Sequence, residues 1–559
     1  TQTAVRYDIL SRTIATSEPF IGVSTNYWTD IQYDTVGRVT ETQHPFDTVT
    51  RTTTKDAPSA LGGSSGERAV SLVSYNGLST TFTNAENQTK TEVKNILGEI
   101  TSVTEGGAGG RTARYEYDAN GKLQKVLSEG VQITEIVYDG MGRKISMDDD
   151  DKGQWSYQYN GFGNLTCQED GENNVIYNQY DIRGRLVART DYINASCTNR
   201  STDNITAQAS WMYDKASNGL GKLASEQDTK SRYAKTYSYD NFGRISAGMD
   251  QFPGADGELS QHHQKVTYDQ YGRTYQNFDA ARVSNEFNTN GTQNVYNTYG
   301  YLSKVVNAAN TSEKYYEVIG MNARGQVTTH TLGAAVRVNS SYKAESGLLA
   351  SINSNSLVNN ATLQNLSLKW DHLGNLLYRN ESTFGSGWER YEYNGYNELA
   401  NTYFVNGGSE TSQSVTYDNF GNIKSKTGMG NYTYDPVKLH AVTSTANHSY
   451  RYDNNGNMLA ETNTLYGEVE REFTYSAFNK ATQVKVYDVL QGDETLKAQV
   501  NFSYGTGRNR FKRVDTNHEN GKQTTTLYAG GVEKVYYADG TIEWKRNIAG
   551  VGQITQKVT

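Results

Sequence analysis

Proline is almost missing from this chain of 559 residues, with five in all. The only thiols are Cys167 and Cys197. They allow a disulfide in an oxidising compartment or two buried unpaired thiols. No second pair with ligand spacing exists to build a zinc site. No apolar run approaches the roughly 18 residues that mark a membrane-spanning helix. No basic block is present either: 53 Lys and Arg stand against 61 Asp and Glu, and the net charge of −8 is spread along the chain. That distribution argues against a direct nucleic-acid partner. Hydrophobic residues make up 35% of the chain, too few for a greasy core throughout. No signal peptide is expected in this stretch. Thr1 opens directly into strand-like text, so the expectation is a fragment of a larger chain whose targeting information lies elsewhere.

What is present is strand-and-turn chemistry. There are 42 Tyr against 15 Phe, together with 53 Gly. Aromatic and β-branched residues suit a pleated surface, and Gly and Asn suit tight turns. One phrase, Tyr-Asp-x-x-Gly-(Lys/Arg)-(Leu/Ile/Val), recurs from one end of the chain almost to the other. Ten clear copies include YDTVGRV at Tyr33, YDANGKL at Tyr117, YDGMGRK at Tyr138, YNGFGNL at Tyr159 and YDIRGRL at Tyr180. Eroded copies include YDILSRT at Tyr7, MNARGQV at Met321 and WDHLGNL at Trp370. From Tyr117 through Tyr138 and Tyr159 to Tyr180 the step is 21 residues; elsewhere it varies, as with 26 from Tyr213 to Tyr239 and 29 from Tyr239 to Tyr268.

The phrase reads as a hairpin turn. Asp or Asn after the Tyr bonds its own backbone two residues on, and the Gly takes the left-handed conformation that closes the loop. The residues that define the unit are Tyr33, Asp34 and Gly37; Tyr117, Asp118 and Gly121; Tyr138, Asp139 and Gly142; Tyr159 and Gly163; Tyr180, Asp181 and Gly184. They continue as Tyr239, Asp240 and Gly243; Tyr268, Asp269 and Gly272; Tyr417, Asp418 and Gly421; and Tyr452, Asp453 and Gly456. A second, less regular turn falls midway, as at Ser128–Gly130. Each 21-residue unit therefore predicts two strands of six or seven residues, each roughly 20 Å long. Helical text is nearly absent. The segments between Ala280 and Gly291 and between Leu348 and Leu363 read as loops or irregular strands.

Successive hairpins pair edge to edge into one long antiparallel sheet. Open twisted sheets seldom pass roughly ten strands without curling or splitting. A two-layer sandwich would need one strongly apolar face, which this composition lacks. The fold class expected is all-β: a long antiparallel sheet of hairpins spiralling into a hollow shell. No domain boundary is visible, so residues 1–559 read as one continuous shell.

The YDxxGR(L/I/V) phrase at this spacing resembles the YD or Rhs repeat family, over essentially the whole chain from Tyr7 to about Tyr504. That family includes bacterial Rhs polymorphic toxins, the B and C components of insecticidal toxin complexes, and the teneurin ectodomain. The resemblance implies a hollow β-shell, or cocoon, around a C-terminal toxin or effector polypeptide. It also implies an N-terminal plug or a component of a secretion apparatus as further partners, and a secreted, extracellular bacterial setting. The stretches Val500–Val514 and Thr524–Tyr536 are similar to text that family members carry late in the shell. The chain ends at Val551–Thr559 before the C-terminal core segment in which family aspartates act in self-cleavage. DHLG at Asp371–Gly374 is an ordinary repeat turn by its position, and YDP at Tyr434–Pro436 sits mid-array. No self-cleavage residues transfer, and no toxin domain is expected here.

Other features have plain readings. The acidic run Met147–Gly153 could bind a cation, but it keeps the 21-residue step and reads as a solvated return turn. His262 and His263 would point to opposite faces of a strand and chelate poorly; a polar loop is the expectation there. The remaining six histidines are scattered. YGTGRNR at Tyr504–Arg510 lacks the strand–loop–helix context of a phosphate cradle and reads as a degenerate turn. Asn replaces Asp at Asn160 and Asn394, and an amide cannot act as a general base. The repeat aspartates are thus turn formers, and the tyrosines cross-strand partners rather than sugar platforms. No catalytic, metal or cofactor residue is assigned. The leading expectation is a non-enzymatic container. The alternatives are a surface adhesion or glycan-binding module and, third, an enzyme on a β-solenoid, for which no acid–base cluster is visible.

Overall fold

The computed structural model describes residues 1–23, 25, 27–47, 68–107, 109–280, 291–385, 387–406, 409–490, 493–548 and 552–558. Among these there are 47 strands, two single 3₁₀ turns at Thr202–Asn204 and Ser382–Phe384, and no α-helix. The strands form a long antiparallel sheet of 35 and a second sheet of 12. Pairing runs in chain order, each strand against the next, so almost every connection is a hairpin. The 21-residue units behave as expected. Gly153–Tyr159 pairs with Leu165–Glu169, which pairs with Val175–Tyr180. The ambiguous stretch after Leu348 is a regular strand, Leu349–Ser356, paired on both sides, because Ile352 and its neighbours alternate against Ser340 and Leu366. The other ambiguous stretch, 281–290, lies outside the described residues.

Two turn types alternate along the chain. At the repeat turn the Asp N–H donates to the carbonyl of the residue four on, and the Gly N–H donates back to the Asp carbonyl, as for Asp139, Arg143 and Gly142. Gly142 and Gly163 sit at φ of 73° and 85°, where a Cβ would meet the following carbonyl oxygen. The register slips by one residue beside the Tyr of each turn, for example between Gln158 and Tyr159. Such bulges strengthen local twist. The return turns are shorter; at Glu129 and Gly130 both φ values are positive, 51° and 83°, which matches hairpin twist.

The chain divides into two compact units, Thr1–Gln132 with Tyr316–Gly430, and Ile133–Tyr315 with Asn431–Thr559. Apolar burial is sparse. In the second unit Phe252, Ala280, Phe511, Leu527 and Ala529 form one cluster, with Tyr233 and Tyr536 against it. The Phe252 ring lies 4.9 Å from Phe511 and 4.6 Å from His262. His262 is thus in the strand Leu259–Tyr268 and buried, not in a polar loop as its neighbourhood suggested. The turn is carried by Gly254–Glu258, and the histidines fall just beyond it.

A second cluster holds Cys167, Val175, Ala195 and Cys197. Here the two cysteines are joined by a disulfide, which settles the choice left open by sequence. It ties the strand Leu165–Glu169 to the loop of 193–204, the insertion that stretches the repeat step from 21 residues to 33 between Tyr180 and Tyr213. Chain-entropy arguments give a loop of 30 residues about 3–4 kcal/mol of stabilisation. The double variant Cys167→Ser/Cys197→Ser is expected to lose about that much locally. It should show proteolytic nicking within 193–204 before the rest of the chain is cut.

Candidate functional site

Each repeat turn is a closed hydrogen-bond device. The Asp139 carboxylate accepts from the backbone N–H of Met141 and Arg143 through Oδ1, both at 2.9 Å, and from Arg143 Nε through Oδ2 at 2.7 Å. Asp34, Asp118, Asp181, Asp240, Asp269 and Asp418 repeat the backbone pattern. At Asp453 the acceptor role serves Asn457. The glycines at 37, 121, 142, 163, 184, 243, 272, 421 and 456 all lie at φ between 71° and 89°. Backbone N–H donation from Arg143, followed by its guanidinium, holds the Asp139 carboxyl below the usual range; Asp181 is lowered the same way by Arg185. In several turns the first and fifth residues are matched as donor and acceptor. Asp takes a donor four residues on, as with Arg143 or Asn422. Asn takes an acceptor instead, as Asn394 Nδ2 does with Glu398 at 2.8 Å and Asn84 with Gln88 at 2.8 Å.

The Tyr of the phrase does something the sequence reading did not assign. Its hydroxyl donates to a backbone carbonyl of the preceding repeat, always the residue two beyond the Gly position. Tyr159 donates to Lys144 at 2.8 Å, Tyr180 to Leu165 at 2.8 Å, Tyr239 to Leu223 at 2.6 Å and Tyr268 to Ile245 at 2.8 Å. Tyr33, Tyr117 and Tyr417 do the same with Thr13, Ile100 and Leu399. Where Trp370 replaces Tyr, its indole N–H makes the equivalent bond to Leu349. The Arg of the preceding turn then lies over the ring: Arg143 over Tyr159 at 5.0 Å, Arg244 over Tyr268 at 4.2 Å, Arg273 over Tyr296 at 4.0 Å. Asp, Arg and the next Tyr therefore form a relay from hairpin to hairpin. Tyr138 and Tyr452 hold the same place at the strand end, paired with Lys144 and Met458. The available signal was the excess of Tyr over Phe, since a hydroxyl is required.

Within each unit, repeat turns of the later segment dock on return turns of the earlier one. In the first unit Arg111 forks onto Glu398 at 2.5 and 3.1 Å, donates to the Asp418 carbonyl at 2.8 Å and stacks on Tyr396 at 4.1 Å. Arg324 pairs with Glu18. In the second, Asn455 Nδ2 donates to Asp170 at 2.7 Å, and Lys512 Nζ to the Gly254 carbonyl at 2.6 Å. Arg508 of the YGTGRNR turn stands at φ 59° where other repeats have Gly, and reaches the fully buried Asp191 at 3.5 Å. That stretch is a degenerate turn as expected, but its arginine belongs to a seam. The acidic run forms the expected return turn, with Asp149 capping Lys152. It is not merely solvated: Asp151 accepts from Lys438 Nζ and His440 N–H, both at 3.1 Å, beside a cavity of about 740 Å³. Burial, then the neighbouring carboxylates, raise the Asp150 carboxyl. Repeat-turn tips of the earlier segments, including Met141, Phe162, Phe242, Tyr271 and Tyr299, remain exposed.

A cavity of about 350 Å³ gathers Glu226, Asp250, Tyr233, Tyr237 and Lys235. Both carboxylates are occupied. Glu226 accepts from Tyr237 and Trp211, and Asp250 from Tyr233 and Gln264, with Lys235 at 3.3 Å. Burial, then the facing carboxylates, push both phenols far up. These groups are a buried polar network, not a poised acid–base pair.

No protein-family model matches the chain, and no curated protein matches it. Solved structures do. The fold is that of a class of toxin-complex chains: 99% of this chain superposes on a crystal structure of TcdB2-TccC3-Cdc42 with TM-score 0.78 and 15% identity. The same coverage holds for TcdB2-TccC3, at 0.73 and 13%, and for a Photorhabdus luminescens Tc holotoxin pore, at 0.75 and 14%. The chain spans 29–30% of the length of these chains. At this identity the likeness defines the fold.

Two outcomes follow from the turn chemistry. Asp139→Asn alone should weaken its hairpin by about 1 kcal/mol, read by amide exchange across residues 131–149. The double variant Asp139→Asn/Arg143→Glu should recover part of it by adopting the Asn394–Glu398 pairing. Burial, then Lys534, depress His262 to about 4, below the unfolded value of about 6.5. Neutral His262 thus contributes stability that is complete above about pH 6.5 and is lost as pH falls toward 4. Melting curves between pH 7 and 4.5 should show this slope, and His262→Gln should flatten it.

Proposed function

We propose that the chain is a wall segment of a YD/Rhs-repeat toxin shell, a non-enzymatic container that encloses and protects a C-terminal toxic effector until delivery. The observation that carries this reading is where the repeat chemistry is spent. Asp, Gly, Arg and Tyr of each copy pin one hairpin to the next, and the turns left over pin distant segments edge to edge. A chain built this way makes wall, with little apolar interior of its own. The likeness to TcdB2-TccC3 and Tc holotoxin chains supports a toxin-complex setting.

In this reading residues 1–559 form one continuous shell segment of a longer chain, with the effector, and an N-terminal plug or secretion component, as partners. The Cys167–Cys197 disulfide fits a secreted protein. No described helix is long and apolar enough to cross a membrane. The exposed repeat-turn tips, Phe162 and Phe242 among them, are where further wall would attach. Adhesion through tyrosine platforms is less well supported, because the repeat hydroxyls are committed to backbone carbonyls.

The test is protease protection. The full-length chain bearing this segment and its downstream polypeptide is digested beside the downstream polypeptide alone. The container reading expects the enclosed polypeptide to outlast the free one many-fold. Equal digestion rates would sink it, and specific binders on a glycan array would then favour adhesion.

A further inference from the structure

Three neighbouring strands in the second unit, His448–Tyr452, Met458–Asn463 and Glu468–Tyr475, bring together side chains that the sequence leaves scattered. His448 stands opposite Asn463, Tyr450 opposite Glu461, and Glu461 opposite Arg471. Cross-strand partners share a face. Glu470 would ordinarily point to the other side. The register slips between Glu461 and Thr462, however, so that Glu470 is the extra residue of a bulge. A bulge re-aims a side chain, and here it turns Glu470 toward His448, whose Nε2 lies 3.0 Å from Glu470 Oε2.

We propose that His448, Glu461 and Glu470 form a site for a divalent transition-metal ion of the zinc type. One ligand atom from each lies within 4.8 Å of the other two. Tetrahedral coordination with bonds of about 2.0–2.2 Å needs donors roughly 3.3–3.6 Å apart, a closure that side-chain rotation supplies. The donor set is one imidazole and two carboxylates, which leaves a fourth position for water or a substrate group. Supporting groups already orient two of the ligands. Asn463 Nδ2 donates to the other Glu470 oxygen at 2.8 Å, and Arg471 holds Glu461 at 3.2 Å. Such outer contacts are the usual companions of metal ligands.

The charge balance points the same way. Glu461 and Glu470 bring two negative charges against the one positive charge of Arg471, and Glu468, opposite Asn463 on the same face, adds a buried carboxylate oxygen with no hydrogen-bond partner. His448 Nδ1 is buried with no partner, and Nε2 is the ring nitrogen that faces Glu470. The plainer alternative is a His448–Glu470 ion pair, which needs a protonated ring and would hold no metal. A bound ion would staple three successive strands beside the return turn at residues 464–467, adding a cross-link to a sheet otherwise held by ladder bonds and Tyr pins.

The discriminating experiment is calorimetric titration of the chelator-stripped chain with ZnCl₂, with CaCl₂ as the hard-cation control. The expected result is one saturable zinc site and no comparable calcium site. His448→Ala and Glu470→Gln should each weaken zinc binding at least tenfold, while His518→Ala, at an exposed histidine in the turn after the strand Arg510–Asn517, should not. Replacing zinc with cobalt should give visible d–d bands that vanish in His448→Ala. Circular dichroism checks that each variant keeps its β spectrum. Should the wild-type chain bind no zinc, or should folded His448→Ala bind it as the wild type does, the proposal is overturned.

Discussion

The bond from a tyrosine hydroxyl to the backbone carbonyl of the preceding hairpin is what the rest of this sheet leans on. Ladder hydrogen bonds join any two strands but say little about how consecutive hairpins are angled. The Tyr pin supplies that second constraint. It fixes the strand end of one repeat, at Tyr159 for instance, to the far side of the turn before it, at Lys144. Arg143 closes the relay by gripping Asp139 and covering the Tyr159 ring. Each such bond contributes only about 1 kcal/mol net. Repeated along the chain, and mostly half-buried, they offset a core that is thin for a protein of this length.

A wall held by turns has a consequence for its edges. The repeat-turn edge is chemically rich, with an Asp or Asn, a Gly and often an Arg at every corner. It can therefore dock on a plainer return-turn edge. Arg111 with Glu398 and Asn455 with Asp170 show the two versions, one ionic and one amide. Their burial strengthens them relative to surface pairs, since solvent screens them less. The disulfide serves the place where the repeat step is stretched to 33 residues and a long return loop would otherwise be loosely held.

Much of this architecture was legible from periodicity. The 21-residue step and the antiparallel hairpins follow the spacing, because local turn geometry is set by residues within five positions of one another. His262 was misread for the converse reason. It is buried against Phe252, which itself packs on Phe511 some 250 residues away, and no local pattern signals that.

The sequence by itself determined the all-β class and the hairpin unit. These follow from composition and from contacts at short separation along the chain. Only the tertiary structure decided which corner meets which, that Cys167 reaches Cys197, and that His448, Glu461 and Glu470 converge on one face. Those outcomes rest on register and on a single bulge. A shift of one residue in either reverses which side of the sheet a side chain occupies, and composition is blind to it.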